Sequence, residues 1–209
     1  MDKYLNKSFQ VVFIMLISIT LLTSLRSLQD NISNKTRLSL QLSSFVTITA
    51  SMHYFLMIYD KSNTVSYRYF DWFFTTPVLL IDLLLILDIY EKELIIEILI
   101  YNTLMLVFGY LGELNKISKM NSTILGFIPF IIIFYKINEK LNEKYKNSNI
   151  KNDLNEKQTI LNVFFILWTI YGLNHLNPNI NSKNFIYNVM DLITKGLFGL
   201  YIYKLSWNE

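Results

Sequence analysis

The chain has 209 residues, of which 52% are hydrophobic and 17% are charged, whereas a soluble domain normally carries about a quarter charged residues. It contains no cysteine and two histidines, which excludes disulfides and cysteine-ligated metals, and we expect no metal site. The net charge of +3 comes mostly from loops beside apolar segments, so we expect no nucleic-acid partner.

Three long runs carry no charged residue, at positions 8–25, 38–59 and 159–182. An uncharged apolar run of about 18 residues can cross a bilayer whose hydrocarbon core is roughly 30 Å thick. We therefore predict an integral, multi-pass membrane protein that lies in the lipid bilayer of a plasma membrane or host cell membrane.

In chain order, the apolar runs predict seven helices, at residues 8–28, 38–59, 67–90, 94–113, 120–144, 159–177 and 184–205. Helix is the expected form because lipid-facing backbone must satisfy its own amides. The connections are short and polar except at 136–157, where the fifth helix is expected to run past the membrane into a charged loop. With no repeat and no dividing linker, we predict one all-α domain over residues 1–209, a seven-transmembrane-helix bundle.

The basic residues are distributed unequally between the two sides of this predicted topology. One side collects eleven Lys and Arg residues and the other collects six. The side richer in Lys and Arg is expected to be cytoplasmic. This rule predicts an extracellular N-terminus and a cytoplasmic C-terminus.

The two remaining basic residues, Arg68 and Lys195, lie within predicted spans. Ionisable groups inside a membrane are costly and usually face a partner or a water-filled path. Asp191 precedes Lys195 by four residues, which places both on one helix face. From this helix alone two interpretations stay open: a buried ion pair that fixes helix packing, or a lysine that joins an aldehyde as a Schiff base beside a carboxylate.

The third predicted helix carries two aspartates, Asp71 and Asp82, that are eleven residues apart. This spacing places them within roughly 20° of one face and about 16 Å apart along the axis. Arg68 is one turn before Asp71, and Thr75 is one turn after it. Carboxylates at different depths on one face favour a proton path; the alternative, that Asp82 is a hydrogen-bonded polar residue between helices, stays open.

At these residues the sequence resembles the microbial (type 1) rhodopsins. Residues 68–83 read RYFDWFFTTPVLLIDL, close to the run typical of the bacteriorhodopsin-like proton pumps, and residues 191–199 read DLITKGLFG, which matches the retinal-lysine signature of the family. The resemblance covers residues 8–205. The short loops and termini also resemble those of the rhodopsins of large algal viruses.

The resemblance implies that all-trans retinal is attached to Lys195 as a Schiff base. It also assigns a role to each charged or polar group on the same helices: Asp71 as primary counterion and proton acceptor, Asp191 as second counterion, Arg68 as the gate beyond them, and Asp82 as cytoplasmic proton donor with Thr75 between the two acids. We expect Asp82 to hold its proton in the dark, because burial disfavours the charged form of a carboxyl group.

The resemblance further implies a retinal pocket made by Tyr54, Trp72, Thr76, Leu79, Met105, Gly109, Trp168, Tyr171 and His175. Tyr54 is expected to orient Asp191, and Leu79 implies green absorption. His175 stands where relatives have a pocket Trp, so it lies either near the ionone ring or as a polar residue near the outer end of the sixth helix. No acid occurs at 174–184, so a paired-glutamate release site is missing there.

The resulting prediction is a light-driven outward proton pump, not an enzyme, and we expect a homo-oligomer. The principal alternative is a light-gated channel for small cations. It is disfavoured because residues 38–59 contain no glutamate. A photosensor is less favoured still, because no transducer-binding segment is visible.

Overall fold

The computed structural model describes residues 3–146 and 151–208. In those ranges the chain forms seven long helices, which confirms the predicted all-α, seven-helix class. Six of them are α1 (Lys3–Ser27), α2 (Asn34–Tyr59), α3 (Thr64–Ile86), α4 (Lys92–Glu113), α5 (Lys119–Tyr145) and α6 (Lys151–Asn174). The seventh consists of α7 (Ile180–Asp191), a π-helical turn (Leu192–Leu197) and α8 (Phe198–Leu205).

Within the described residues, six of the seven long helices are apolar and long enough to cross a membrane. The exception is α6, whose first turns carry Asp153, Glu156 and Lys157. Its uncharged part begins at Gln158, one residue before the predicted start of the sixth span. The helical segment is therefore longer than the predicted span and includes a charged first section.

The predicted end of the third helix at residue 90 was wrong, because α3 ends at Ile86. Asp88 adopts a left-handed backbone conformation with φ of 59°, which a helix cannot continue through. Lys157 Nζ lies 2.6 Å from Asp88 Oδ2, and Lys144 Nζ donates a hydrogen bond to the Asp88 carbonyl at 2.6 Å. These contacts hold the turn against α5 and α6.

The fifth helix runs on past residue 136 as predicted, but the charged loop expected before the sixth helix was wrong from residue 151 onward. α5 continues to Tyr145 and α6 begins at Lys151, while residues 147–150 lie outside the described part of the chain. Lys157 Nζ contacts Asp153 Oδ2 at 3.1 Å, one turn earlier. This pair, together with Asp88, stabilises a first section of α6 that is too polar for apolar periodicity to detect.

The turn between α2 and α3 is organised around Asp60, which follows the last residue of α2. Its carboxylate accepts hydrogen bonds from Ser62, Asn63 and Tyr67. These hydrogen bonds, with that of Ser62 the strongest, hold the pKa of Asp60 at about 2. The carboxylate therefore stays ionised through the ordinary pH range and closes the turn.

The described residues fall into two compact units, the first running up to Asp82 and resuming at Asn177, the second being Leu83–Leu176. In the first unit, α1 packs along α2 through a buried core made by Leu5, Phe9, Val12, Leu16, Ala50, Tyr54 and Met57. Gly199 of α8 lies close to Ser43 of α2. A β-carbon added at Gly199 would lie 2.6 Å from Ser43 Oγ. The expectation of one domain over residues 1–209 stays a prediction.

In the second unit, α5 and α6 pack through aromatic side chains. The rings of Phe130 and Phe165 stack with centroids 5.3 Å apart. Phe134 meets Trp168 edge to face at 6.1 Å. Such aromatic pairs contribute about 0.5–1.5 kcal/mol beyond the area they bury, and they fix Trp168 on α6.

Candidate functional site: a buried lysine with two carboxylates

Lys195 lies in the π-helical turn, with its side chain 1% exposed. Its Nζ donates a hydrogen bond to the carboxylate of Asp71 on α3. The same nitrogen lies 3.1 Å from Asp191 Oδ1, at the end of α7. Both carboxylates are fully buried. The structure thus brings together the lysine and the two acids that the sequence singled out.

Asp191 is held by a second set of donors on its other oxygen, Oδ2. Tyr54 OH donates to this oxygen at 2.8 Å, and Arg68 Nη1 donates to it at 3.2 Å. Trp72 Nε1 approaches Oδ1 at 3.4 Å. Because a buried charge is stable only when it is paired and hydrogen-bonded, these contacts explain how a carboxylate persists at this depth.

Asn188 joins this cluster, although sequence reasoning did not select it. Its Oδ1 accepts hydrogen bonds from Arg68 Nη2 at 2.8 Å and from Tyr54 OH at 3.1 Å. Asn188 precedes Lys195 by seven residues, which is the spacing of two helical turns. Helical periodicity could therefore have placed Asn188 on the same face as Lys195. The chain is rich in asparagine, however, so a single asparagine is a weak signal of a functional site.

Asp82 lies farther along α3 and is fully buried. Ser39 of α2 donates a hydrogen bond to its Oδ1, whereas Oδ2 has no hydrogen-bond partner among the residues that the structure describes. Thr75, between the two acids of α3, donates to the backbone carbonyl of Asp71 at 2.8 Å. No sequence signal pointed to Ser39, because its contact with Asp82 depends on how α2 packs.

The residues expected to line a retinal pocket lie on several helices. In the first unit, Trp72, Thr76 and Leu79 are buried on α3, and Tyr54 is buried on α2. Those of the second unit are Met105 and Gly109 on α4, Trp168 and Tyr171 on α6, and His175 just after α6. Contact of any of them with retinal stays a prediction.

His175 is buried and belongs to a polar cluster of the second unit. Its Nε2 lies 2.9 Å from Ser122 Oγ on α5, and its Nδ1 lies 2.9 Å from Glu113 Oε1 at the end of α4. The two interpretations of His175, near the ionone ring or as a polar residue near the outer end of the sixth helix, both stay predictions. Sequence reasoning missed Glu113 and Ser122, because three separate helices bring the cluster together.

Gly112 on α4 makes this cluster possible. A β-carbon there would overlap Ser122 Oγ and lie 2.8 Å from His175 Nε2. Gly112→Ala is therefore expected to lower the free energy of unfolding by about 1–3 kcal/mol, the usual cost of overpacking. Thermal unfolding of the detergent-solubilised protein measures this.

The matched control for Gly112→Ala is Gly126→Ala on α5. The nearest atom to a β-carbon at this position is the Met105 carbonyl oxygen at 3.6 Å, an ordinary contact. Because alanine favours helix over glycine by up to about 1 kcal/mol, this variant should be neutral or more stable. Equal melting temperatures for the two variants would contradict the tight packing around Ser122 and His175.

These features define a multi-pass membrane protein with a buried lysine between two aspartates. A family model described as bacteriorhodopsin-like protein matches residues 5–209, and the chain belongs to this family. The resemblance to the microbial rhodopsins is thereby confirmed, together with the integral membrane location.

Individual relatives agree with this assignment. The chain is 27% identical over 195 residues to the green-light absorbing proteorhodopsin of a gamma-proteobacterium, with 87% of this chain and 78% of the relative covered. Its fold matches the crystal structure of viral rhodopsin OLPVRII with a TM-score of 0.83 and 29% identity, covering 97% of both chains. The fold of Exiguobacterium sibiricum rhodopsin matches with a TM-score of 0.81 at 23% identity, covering 99% of both chains.

Proposed function

We propose that the protein is a light-driven outward proton pump that carries all-trans retinal on Lys195. The observation that supports this most directly is the contact of the buried Lys195 amine with Asp71 and Asp191. A third buried carboxyl group, Asp82, lies on the same helix as Asp71. Together these groups provide a nitrogen that can lose a proton, an acceptor beside it and a second proton-binding group at another depth.

The residues around Lys195 fit retinal attachment. A buried primary amine is the group that forms a Schiff base with an aldehyde, and the two aspartates would balance the positive charge of that nitrogen when it is protonated. Asp71 Oδ1 is buried and has no hydrogen-bond partner among the described residues, so this oxygen can accept a further donor. Bound retinal would supply light absorption and a light-driven change of shape.

The proton acceptor in this proposal is Asp71, which accepts a hydrogen bond from Lys195 Nζ. Asp191 keeps its own partners, since Tyr54 OH and Arg68 Nη1 both contact its Oδ2. A proton that leaves the Lys195 nitrogen therefore has a nearby base in Asp71, while Asp191 remains a fixed negative charge. The positive charge of Arg68 lies 3.2 Å from Asp191 and favours the ionised form of that acid.

Asp82 is the proposed donor that returns a proton to the Lys195 nitrogen. Among the residues that the structure describes, Ser39 donates the one hydrogen bond to this carboxyl group, which is fully buried. Burial without a paired cation favours the neutral acid. A neutral Asp82 holds a proton that it can give, and afterwards it must be reprotonated from the side of the membrane on which it lies.

The channel alternative would need a polar path, and the buried hydroxyl groups of α2 are the most obvious candidates for one. Thr47 and Ser44 instead contact hydroxyl groups of α1, at 2.7 Å in each case. Each also donates to a backbone carbonyl of its own helix. Hydroxyl groups used in this way join α2 to α1, and they favour the pump over the channel.

Photocurrent recorded at varied voltage from cells supplied with retinal tests the proposal. A pump current keeps its direction over the ordinary voltage range, whereas a channel current reverses. Illuminated cells should also acidify an unbuffered medium, and a protonophore should abolish the change. A current that reverses with voltage would favour the channel. Alkalinisation of the medium would reject outward transport, a direction that depends on the predicted extracellular N-terminus.

A further inference from the structure

We propose that Asn188 is a positioning residue for the counterion group, because its side-chain amide holds Arg68 and Tyr54 beside Asp191. This inference rests on the proposed function, in which Asp71 and Asp191 balance the charge on Lys195. Asn188 itself does not contact the lysine nitrogen in the described contacts. Its effect on the site passes through Arg68 and Tyr54.

The geometry shows two donors, each shared between two acceptors of one helix. Arg68 reaches Asn188 Oδ1 at 2.8 Å and Asp191 Oδ2 at 3.2 Å. Tyr54 OH reaches Asn188 Oδ1 at 3.1 Å and Asp191 Oδ2 at 2.8 Å. The amide oxygen thus makes the shorter contact with the guanidinium, and the carboxylate makes the shorter contact with the phenol.

The opposite end of the Asn188 amide fixes its orientation. Nδ2 donates a hydrogen bond to Ser8 Oγ on α1 at 2.8 Å, and that hydroxyl donates onward to the Leu5 carbonyl at 2.7 Å. A flipped amide would point its NH₂ group at the Arg68 guanidinium, which has no acceptor atom. Asn188 is fully buried, so bulk solvent does not reach either end of the amide.

A neutral acceptor is well suited to this position. A carboxylate at residue 188 would compete with Asp191 for Arg68. An aliphatic side chain would leave Arg68 Nη2, which donates to Asn188 Oδ1, without a close acceptor. Among the residues that the structure describes, the other acceptor of Arg68 Nη2 is Asn184 Oδ1 at 3.5 Å, which is too long for a strong hydrogen bond. Without the amide, the guanidinium is free to turn away from Asp191.

The colour of the retinal-reconstituted full chain during acid titration tests this inference. Protonation of the counterions changes the absorption maximum, and a well-placed positive charge favours their ionised form. Asn188→Leu should therefore move the midpoint of the colour change to higher pH by about one unit. This is the lower end of the shift that a neighbouring cation usually causes in the titration of a carboxyl group. Ser8→Ala, which removes only the α1 contact, should cause a smaller shift in the same direction.

The matched control is Asn184→Leu, one turn earlier on α7, which should leave the midpoint close to that of the unmodified protein. If Asn188→Leu forms no pigment, Asn188→Ser makes the same test, since serine is too short to reach both donors. A lower thermal stability with an unchanged midpoint would overturn the inference, because it would show a packing role alone. Failure of the unmodified chain to form a pigment with retinal would reject the proposed function as well.

Discussion

Replacing Lys195 by arginine is expected to give a folded protein that forms no pigment with all-trans retinal. Arginine keeps a positive charge beside Asp71 and Asp191, but its guanidinium stays protonated and does not form a Schiff base. Absorption spectroscopy after addition of retinal measures the result, and the visible band should be absent. Because the charge is conserved, loss of the pigment here reports loss of the attachment point and not loss of the fold.

Two further variants separate attachment from stability. Lys195→Ala leaves the buried carboxylate of Asp71 without its cation, and removing one partner of a buried pair costs about 3–5 kcal/mol, so this variant should also melt at a lower temperature. Lys183→Ala removes another buried lysine from the same helix and should keep the pigment. A normal visible band in Lys195→Arg would contradict attachment at this residue.

A chemical measurement on the unmodified protein provides an independent test. Borohydride reduces an imine to a stable amine, which survives proteolysis. Mass spectrometry of the peptides should then find the retinyl group on the peptide that contains Lys195. Its presence on a peptide from another segment would reject the assignment.

The seven helices were predictable because the bilayer imposes a simple requirement on the chain. Long apolar runs, three of them without any charge, marked the spans. The positions of the first, second, fourth and fifth helices agree with the structure to within a few residues. The errors concern the ends of α3 and the beginning of α6. There, the left-handed Asp88 and its contact with Lys157 decide the boundary, and such contacts between helices leave no mark on hydropathy.

The core of the site was partly predictable for a similar reason. The spacing of Asp191 and Lys195 placed them on one face, and the structure finds them 3.1 Å apart. The contact with Asp71 joins residues on two helices, so spacing could not establish it, and the resemblance to the microbial rhodopsins suggested it. The π-helical turn around Lys195 was not predicted, because its extra residue per turn has no compositional signal.

The remaining polar contacts could not be read from the sequence. Asn188 contacts residues of three other helices, and Ser39 contacts Asp82. Each contact depends on helix rotation and packing, which a single sequence does not specify. The sequence indicates only that a charged residue within a predicted span must have some partner, because an unpaired buried charge is too costly.

Asp82→Asn is expected to preserve the pigment and to slow its recovery after a flash by at least about 10²-fold, the usual contribution of a positioned acid. Asparagine has nearly the same shape and can still accept the hydrogen bond from Ser39, but it has no proton to give. The proton must then come from water, so recovery should slow about tenfold for each pH unit of increase, as the proton concentration falls. Flash photolysis over a pH series measures both effects.

The matched control for Asp82→Asn is Ser39→Ala, which removes the hydrogen bond to Asp82 while the carboxyl group remains. Recovery in this variant should change much less and should stay nearly independent of pH, because the proton is still supplied from within the protein. Unchanged recovery in Asp82→Asn would remove this residue from the donor role and leave the buried acid as a packing feature. A normal pump current with slow recovery would also be inconsistent, since each cycle moves a proton only after the Lys195 nitrogen has been reprotonated.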